Sequence, residues 1–108
     1  MSYLDELRAH CMAKPDVTEE YPWGDIVWKV RGKMFAATGA EAEGVTVKST
    51  LDQQAALIQH PGIEVAKYVG KYGWVTVRLA SRETFDLALD LVDESYEMVV
   101  AGKKKRSA

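Results

Sequence analysis

Seven cations crowd the middle of the chain: Lys29, Arg31, Lys33, Lys48, Lys67, Lys71 and Arg78. Between residues 26 and 81 they meet only four acids, Glu41, Glu43, Asp52 and Glu64. Ammonium and guanidinium groups neutralise phosphates and release condensed counterions. An aromatic ring beside them can stack on a base or support an arginine, and Trp74 lies in this stretch. The densest part is YPWGDIVWKVRGKMFA, residues 21–36, with two tryptophans and three cations. The chemistry these residue types offer is recognition of an anionic partner, either DNA or an acidic protein. A plainer explanation exists for the same residues. Lysine and arginine on a solvated strand discourage edge-to-edge pairing, and cations beside acidic helices pair within the fold.

Catalysis finds little support. Cys11 falls on the apolar side of a helical pattern and reads as a small core residue. Ser49, Ser81 and Ser95 sit in no Gly-x-Ser-x-Gly context, and the first two read as helix caps. Gly32-Lys33 and Gly70-Lys71 lack the remaining parts of a phosphate-binding loop and read as turns. Adjacent His10 and Cys11 diverge by about 100° on a helix, which suits no shared tetrahedral ion. The expectation is a non-enzymatic protein without a metal site or cofactor.

Strand alternation decides which cations share a face. Ile26, Trp28 and Val30 alternate with Val27, Lys29 and Arg31. Gly32 supplies a tight turn, KMFAAT returns as the next strand, and VTVK follows as a third. Thr50 and Gln53 form a capping box before LDQQAALIQ, a helix expected to stop at His60-Pro61-Gly62. IEVAKYV and WVTVRLA give two further strands around GKYG. Ser2 caps a first helix, and Ser81 caps a last one with the apolar stripe Phe85, Leu89, Val92, Tyr96 and Val99. The order predicts an α+β fold, helix–three strands–helix–two strands–helix. It is a single antiparallel sheet of about five strands with helices packed on one face. Thr46, Lys48, Trp74, Thr76 and Arg78 would then point away from the core with Lys29 and Arg31. Lys33, Lys67 and Lys71 would extend that basic face from turns and strand ends.

At 108 residues the chain is sized for one domain, expected over residues 1–102, with a basic tail over residues 103–108. Its 47% hydrophobic content suits a packed core. The formal net charge of −2 conceals an uneven distribution. Residues 1–102 carry ten cations against sixteen acids, a formal charge of −6, and the tail holds the other four cations. The opening MSYLDELRAH lacks the apolar core of a secretory signal, and a single cysteine allows no internal disulfide. A cytoplasmic, monomeric protein without membrane association is the expectation.

Four landmarks, PWGDIVWKVRGKMFA, VTVKST, HPGIEVAKYVGKYGWVTVRL and LVDESYEMVV, span residues 22 to 100. In their combination the chain resembles the MmcQ/YjbR family. The resemblance implies a frataxin/CyaY-like architecture and DNA contact through two β-hairpin wings. Matched by motif, the wings would centre on Arg31-Gly32-Lys33 and on Gly70-Lys71-Tyr72-Gly73. It implies no catalytic residue and no cofactor; the CyaY-like fold raises loose iron binding on the acidic last helix as the lowest-ranked reading. The leading expectation is weak nucleic-acid binding through a basic sheet face and hairpin turns, with Trp74 as stacking platform. The alternative is a protein-interaction or small-anion binding module without DNA affinity.

Overall fold

Three helices and six strands make up the computed structural model, which describes residues 2–39, 41 and 43–102; the tail expected over residues 103–108 lies outside them. Helix α1 spans Tyr3–Met12, α2 Leu51–Leu57 and α3 Arg82–Ala101. The strands are β1 Val17–Glu20, β2 Ile26–Val30, β3 Lys33–Thr38, β4 Gly44–Val47, β5 Ile63–Val65 and β6 Val75–Arg78. They form one sheet in the order β1-β2-β3-β4-β6-β5, with every neighbouring pair antiparallel. The fold class is therefore the expected α+β arrangement, with six strands in place of about five.

Side-chain hydroxyls set the start of each helix as the sequence suggests. Ser2 accepts from the Asp5 N–H at 3.1 Å. Thr50 with Gln53, and Ser81 with Thr84, form reciprocal capping boxes. Helix α2 ends earlier than expected, at Leu57, because its last groups close into a turn before Pro61. It has no buried residue and docks through Gln54, whose Nε2 donates to the Gly70 and Trp74 carbonyls at 2.7 and 2.9 Å.

The core lies between the sheet and α1 with α3. Trp28, Val30, Ala36, Val45, Val47, Ile63, Val75 and Val77 meet Leu7 and Cys11 from α1 and Phe85, Ala88, Val92 and Tyr96 from α3. Each fully buried valine or phenylalanine contributes about 1.5–3 kcal/mol relative to an exposed one. Cys11 is fully buried, and burial pushes its thiol up to about 12, which makes it an inert packing residue.

Strand β1 is the element that hydrophobic pattern alone does not reveal. Its VTEE sequence carries a glutamate on the inner side, opposite Trp28. Glu19 accepts from Trp28 Nε1 at 2.8 Å, from Arg8 Nε and Nη2 at 3.2 and 2.7 Å, and from the Tyr21 hydroxyl. One carboxylate thus ties α1, β1 and β2 together. A second tie joins α1 to α3, where Asp93 meets His10 at 2.7 Å and Lys14 at 2.5 Å.

Strand β3 contains a bulge. Trp28 pairs with Ala36 and Lys29 with Met34, which leaves Phe35 as the extra residue. The Phe35 carbonyl accepts from the Ser95 hydroxyl at 2.6 Å, and the Ser95 hydroxyl oxygen in turn accepts from the Lys48 N–H at 2.9 Å. Buried Ser95 is therefore a structural residue, not a nucleophile.

Two outcomes follow from these ties. Ser95→Ala leaves a buried carbonyl and a backbone N–H without their partner, and urea unfolding should show a loss of about 2–3 kcal/mol. Burial tends to raise the Glu19 and Asp93 carboxyls, but hydrogen bonds from Arg8, Tyr21 and Trp28, and from Lys14 and His10, outweigh it and lower both. With folded values below the unfolded ones, their stabilisation is complete above about pH 5 and is lost as pH falls through about 4 and lower. Melting temperature should stay flat from about pH 7 to 5.5 and drop below about pH 4.5, with a shallower acid limb in Glu19→Gln.

Candidate nucleic-acid interface

Alternation orients the outer face as expected, and the hydroxyls of Thr46 and Thr76 meet there at 2.8 Å across β4 and β6. Position along the strands then separates the cations. Lys29 is held by Glu20 at 3.0 Å and Arg78 by Glu64 at 3.2 Å. Lys67 lines a hollow with Glu41, Glu43, Glu64 and Arg78. The outer face is thus a mixed surface in which two of the seven cations are ion-paired and a third, Lys67, lines a hollow with three acids, and it is not the uniform basic face that alternation alone predicts.

The other four gather at one end of the sheet. Antiparallel pairing brings together the β2–β3 turn, the end of β4 and the start of β6. Arg31 and Lys33 flank that turn, Lys48 follows β4, and Lys71 lies in the 3₁₀ turn Gly70–Tyr72 that precedes β6. Among the described residues, none of these four forms an ion pair with a carboxylate within 4.0 Å.

Local geometry fixes both basic turns. Arg31 and Gly32 form a two-residue loop with φ of 55° and 80°. Positive φ at both positions marks the hairpin turn that matches strand twist and favours Asn-Gly. An arginine in the left-handed region is locally disfavoured, and its side chain is exposed at the tip. The second turn is stapled to β4, since the Ser49 hydroxyl donates to the Gly73 carbonyl at 2.6 Å. Gly73 has φ of 104°, and a Cβ there would sit 2.5 Å from the Ser49 carbonyl oxygen. No side chain larger than hydrogen fits, so this close approach holds the turn that carries Lys71 against the segment that follows Lys48. The first motif is a hairpin as the family pattern implies; the second is a 3₁₀ turn within the β5–β6 connection.

Trp74 is only 8% exposed, and Lys48 Nζ lies 5.7 Å from its ring centroid. Its ring is already a packing surface and is not an open stacking platform. Tyr72 is 63% exposed, with Lys71 Nζ 5.3 Å from its ring centre. Next to these residues runs a groove of ≈ 700 Å³ lined by Lys33, Met34, Lys48, Trp74, Met98 and Val99. Met98 entered the sequence pattern only within the LVDESYEMVV landmark, and Met34 only as part of a returning strand. Their shared role emerges from the contact between the end of α3 and the end of the sheet. Among the described residues, no cluster of three or more His, Cys, Asp or Glu side chains is placed to hold a metal ion, and no helix is long and apolar enough to cross a membrane.

The YjbR family model matches residues 12–98. The chain belongs to the YjbR family. The match covers the sheet, both basic turns and α3 up to Met98. A crystal structure of a protein from Pseudomonas syringae, a structural-genomics target, has the same fold at a TM-score of 0.62. The two chains are 18% identical, with 82% of this chain and 93% of that one covered. No curated protein matches this YjbR-family sequence.

Replacing Arg31 by asparagine relieves the left-handed strain and should raise unfolding free energy by about 0.5–1 kcal/mol in a urea titration.

Proposed function

We propose that this YjbR-family chain is a non-enzymatic protein that binds nucleic acid weakly through the basic end of its sheet. The supporting observation is the convergence there of Arg31, Lys33, Lys48 and Lys71 without carboxylate partners among the described residues. Arg31 adds to it, because a guanidinium is kept at a turn position where asparagine or glycine folds better. The sequence also runs from Gly102 directly into Lys103, Lys104, Lys105 and Arg106, and Gly102 lines the groove. The formal charge of −6 over residues 1–102 keeps such binding weak, since it repels a polyanion at long range and leaves only local contact attractive. An acidic protein is the second reading, favoured by the exposed Leu51 and by the exposed Tyr72 beside Lys71, because aromatic residues are enriched at protein interfaces and the lysine supplies the complementary charge.

Binding of a labelled oligonucleotide, followed by fluorescence anisotropy, tests the proposal. Four phosphate contacts should cost roughly a hundredfold in affinity between about 50 and 200 mM salt. Lys33→Glu with Lys48→Glu should abolish binding, whereas Lys29→Glu or Arg78→Glu should change it little. Salt-independent affinity, or equal losses from all four substitutions, would contradict this placement. Polyglutamate that binds where oligonucleotide does not would move the assignment to the acidic-protein reading.

A further inference from the structure

The groove beside the basic end has the wrong walls for a purely ionic ligand. Among the described residues, Lys33 and Lys48 are its charged lining residues; Met34, Trp74, Met98 and Val99 supply apolar surface. A neighbouring hollow of ≈ 710 Å³ shares Lys48, Met98 and Gly102 with it and adds Ser49, Thr50, Leu51, Tyr72 and Ala101, with one acid, Glu97, on the α3 side. The two form one trough around Lys48, and each has the size that holds a small-molecule-sized body.

Helix α3 ends in this trough. The Val99 carbonyl in its last turn accepts from the Gly102 N–H at 3.3 Å, and a helix C-terminus carries roughly half a negative charge. That charge opposes a free inorganic anion near Gly102 while offering acceptors to N–H groups. The best-matched occupant combines a flat apolar body, N–H donors and a separate anionic group. An unpaired nucleotide has all three. A duplex buries its base faces in the stack and presents mainly phosphate and sugar, which would leave the apolar walls wet.

We infer that the trough takes unpaired nucleotides of a single strand, with phosphates on Lys33, Lys48 and Lys71 and bases against Met34, Met98 and the ring of Tyr72. The inference rests on the nucleic-acid reading above and narrows it. Tyr72 supplies the stacking surface in place of Trp74, because Tyr72 is exposed and Trp74 is buried. Methionine thioethers make favourable contacts with aromatic edges and adapt to different bases, which predicts little sequence preference.

The test compares a labelled oligothymidylate of about 12 nucleotides with a blunt duplex of equal length, both titrated with the full chain at fixed low salt. The single strand should bind about tenfold tighter. Tyr72→Ala should remove that advantage and leave duplex affinity unchanged; Tyr72→Phe should retain it. Tyr72 is exposed, so neither change should disturb folding, and an unaltered melting temperature verifies this. Equal or tighter duplex binding, or a Tyr72→Ala effect that is absent or the same on both probes, overturns the single-strand inference. The broader nucleic-acid reading survives that result if Lys33→Glu with Lys48→Glu still abolishes binding. Failure of both probes to bind overturns the two together.

Discussion

The Ser95 hydroxyl is the contact on which the arrangement of the basic end depends. It donates to the carbonyl at the β3 bulge and accepts from the N–H that follows β4. A bulge bends its strand and leaves backbone polar groups unpaired, and a buried unpaired group costs about 1–3 kcal/mol. One side chain from α3 satisfies two strands at once and sets how closely the helix approaches them. Lys48 and Met98 owe their positions to that approach, the first through its own backbone and the second from the next turn of the helix.

The Glu-Ser-Tyr landmark in the last helix can be understood on the same grounds. Ser95 answers the bulge, and Tyr96 packs edge-on against Phe35 while its hydroxyl donates to the Pro15 carbonyl at 2.7 Å. These are folding roles. Membership of the YjbR family therefore accounts for the architecture, and the functional reading has to come from the residues exposed upon it. Lys48 belongs to both levels, since its backbone is held by the bulge contact and its amino group faces the groove.

Much of the fold could be read directly from residue patterns. Ser2, Thr50 and Ser81 act locally, so their caps are visible in a few consecutive residues. The β6 alternation was equally plain because one face is buried and the other is not; in β2 the outward Val27 is buried as well. Strand β1 was hidden because its inward residue is Glu19, whose carboxylate is compensated by donors from Arg8, Tyr21 and Trp28. No hydrophobic period records such compensation. Alternation also assigns a face without assigning an ion partner. Glu20 and Glu64 reach Lys29 and Arg78 from separate strands, so the division of the seven cations required the pairing register. The contact of Lys48 with the Trp74 ring likewise joins residues twenty-six positions apart in the chain.

Burial of Cys11 has a practical side. The only sulfhydryl in the chain is shut inside the core, and its high pKa leaves almost no thiolate near neutral pH. Maleimide or iodoacetamide reagents will find no accessible thiol on the native protein. A cysteine introduced on an exposed loop would then be alkylated alone, so a fluorophore or spin probe can be attached at one chosen position without first removing the natural residue.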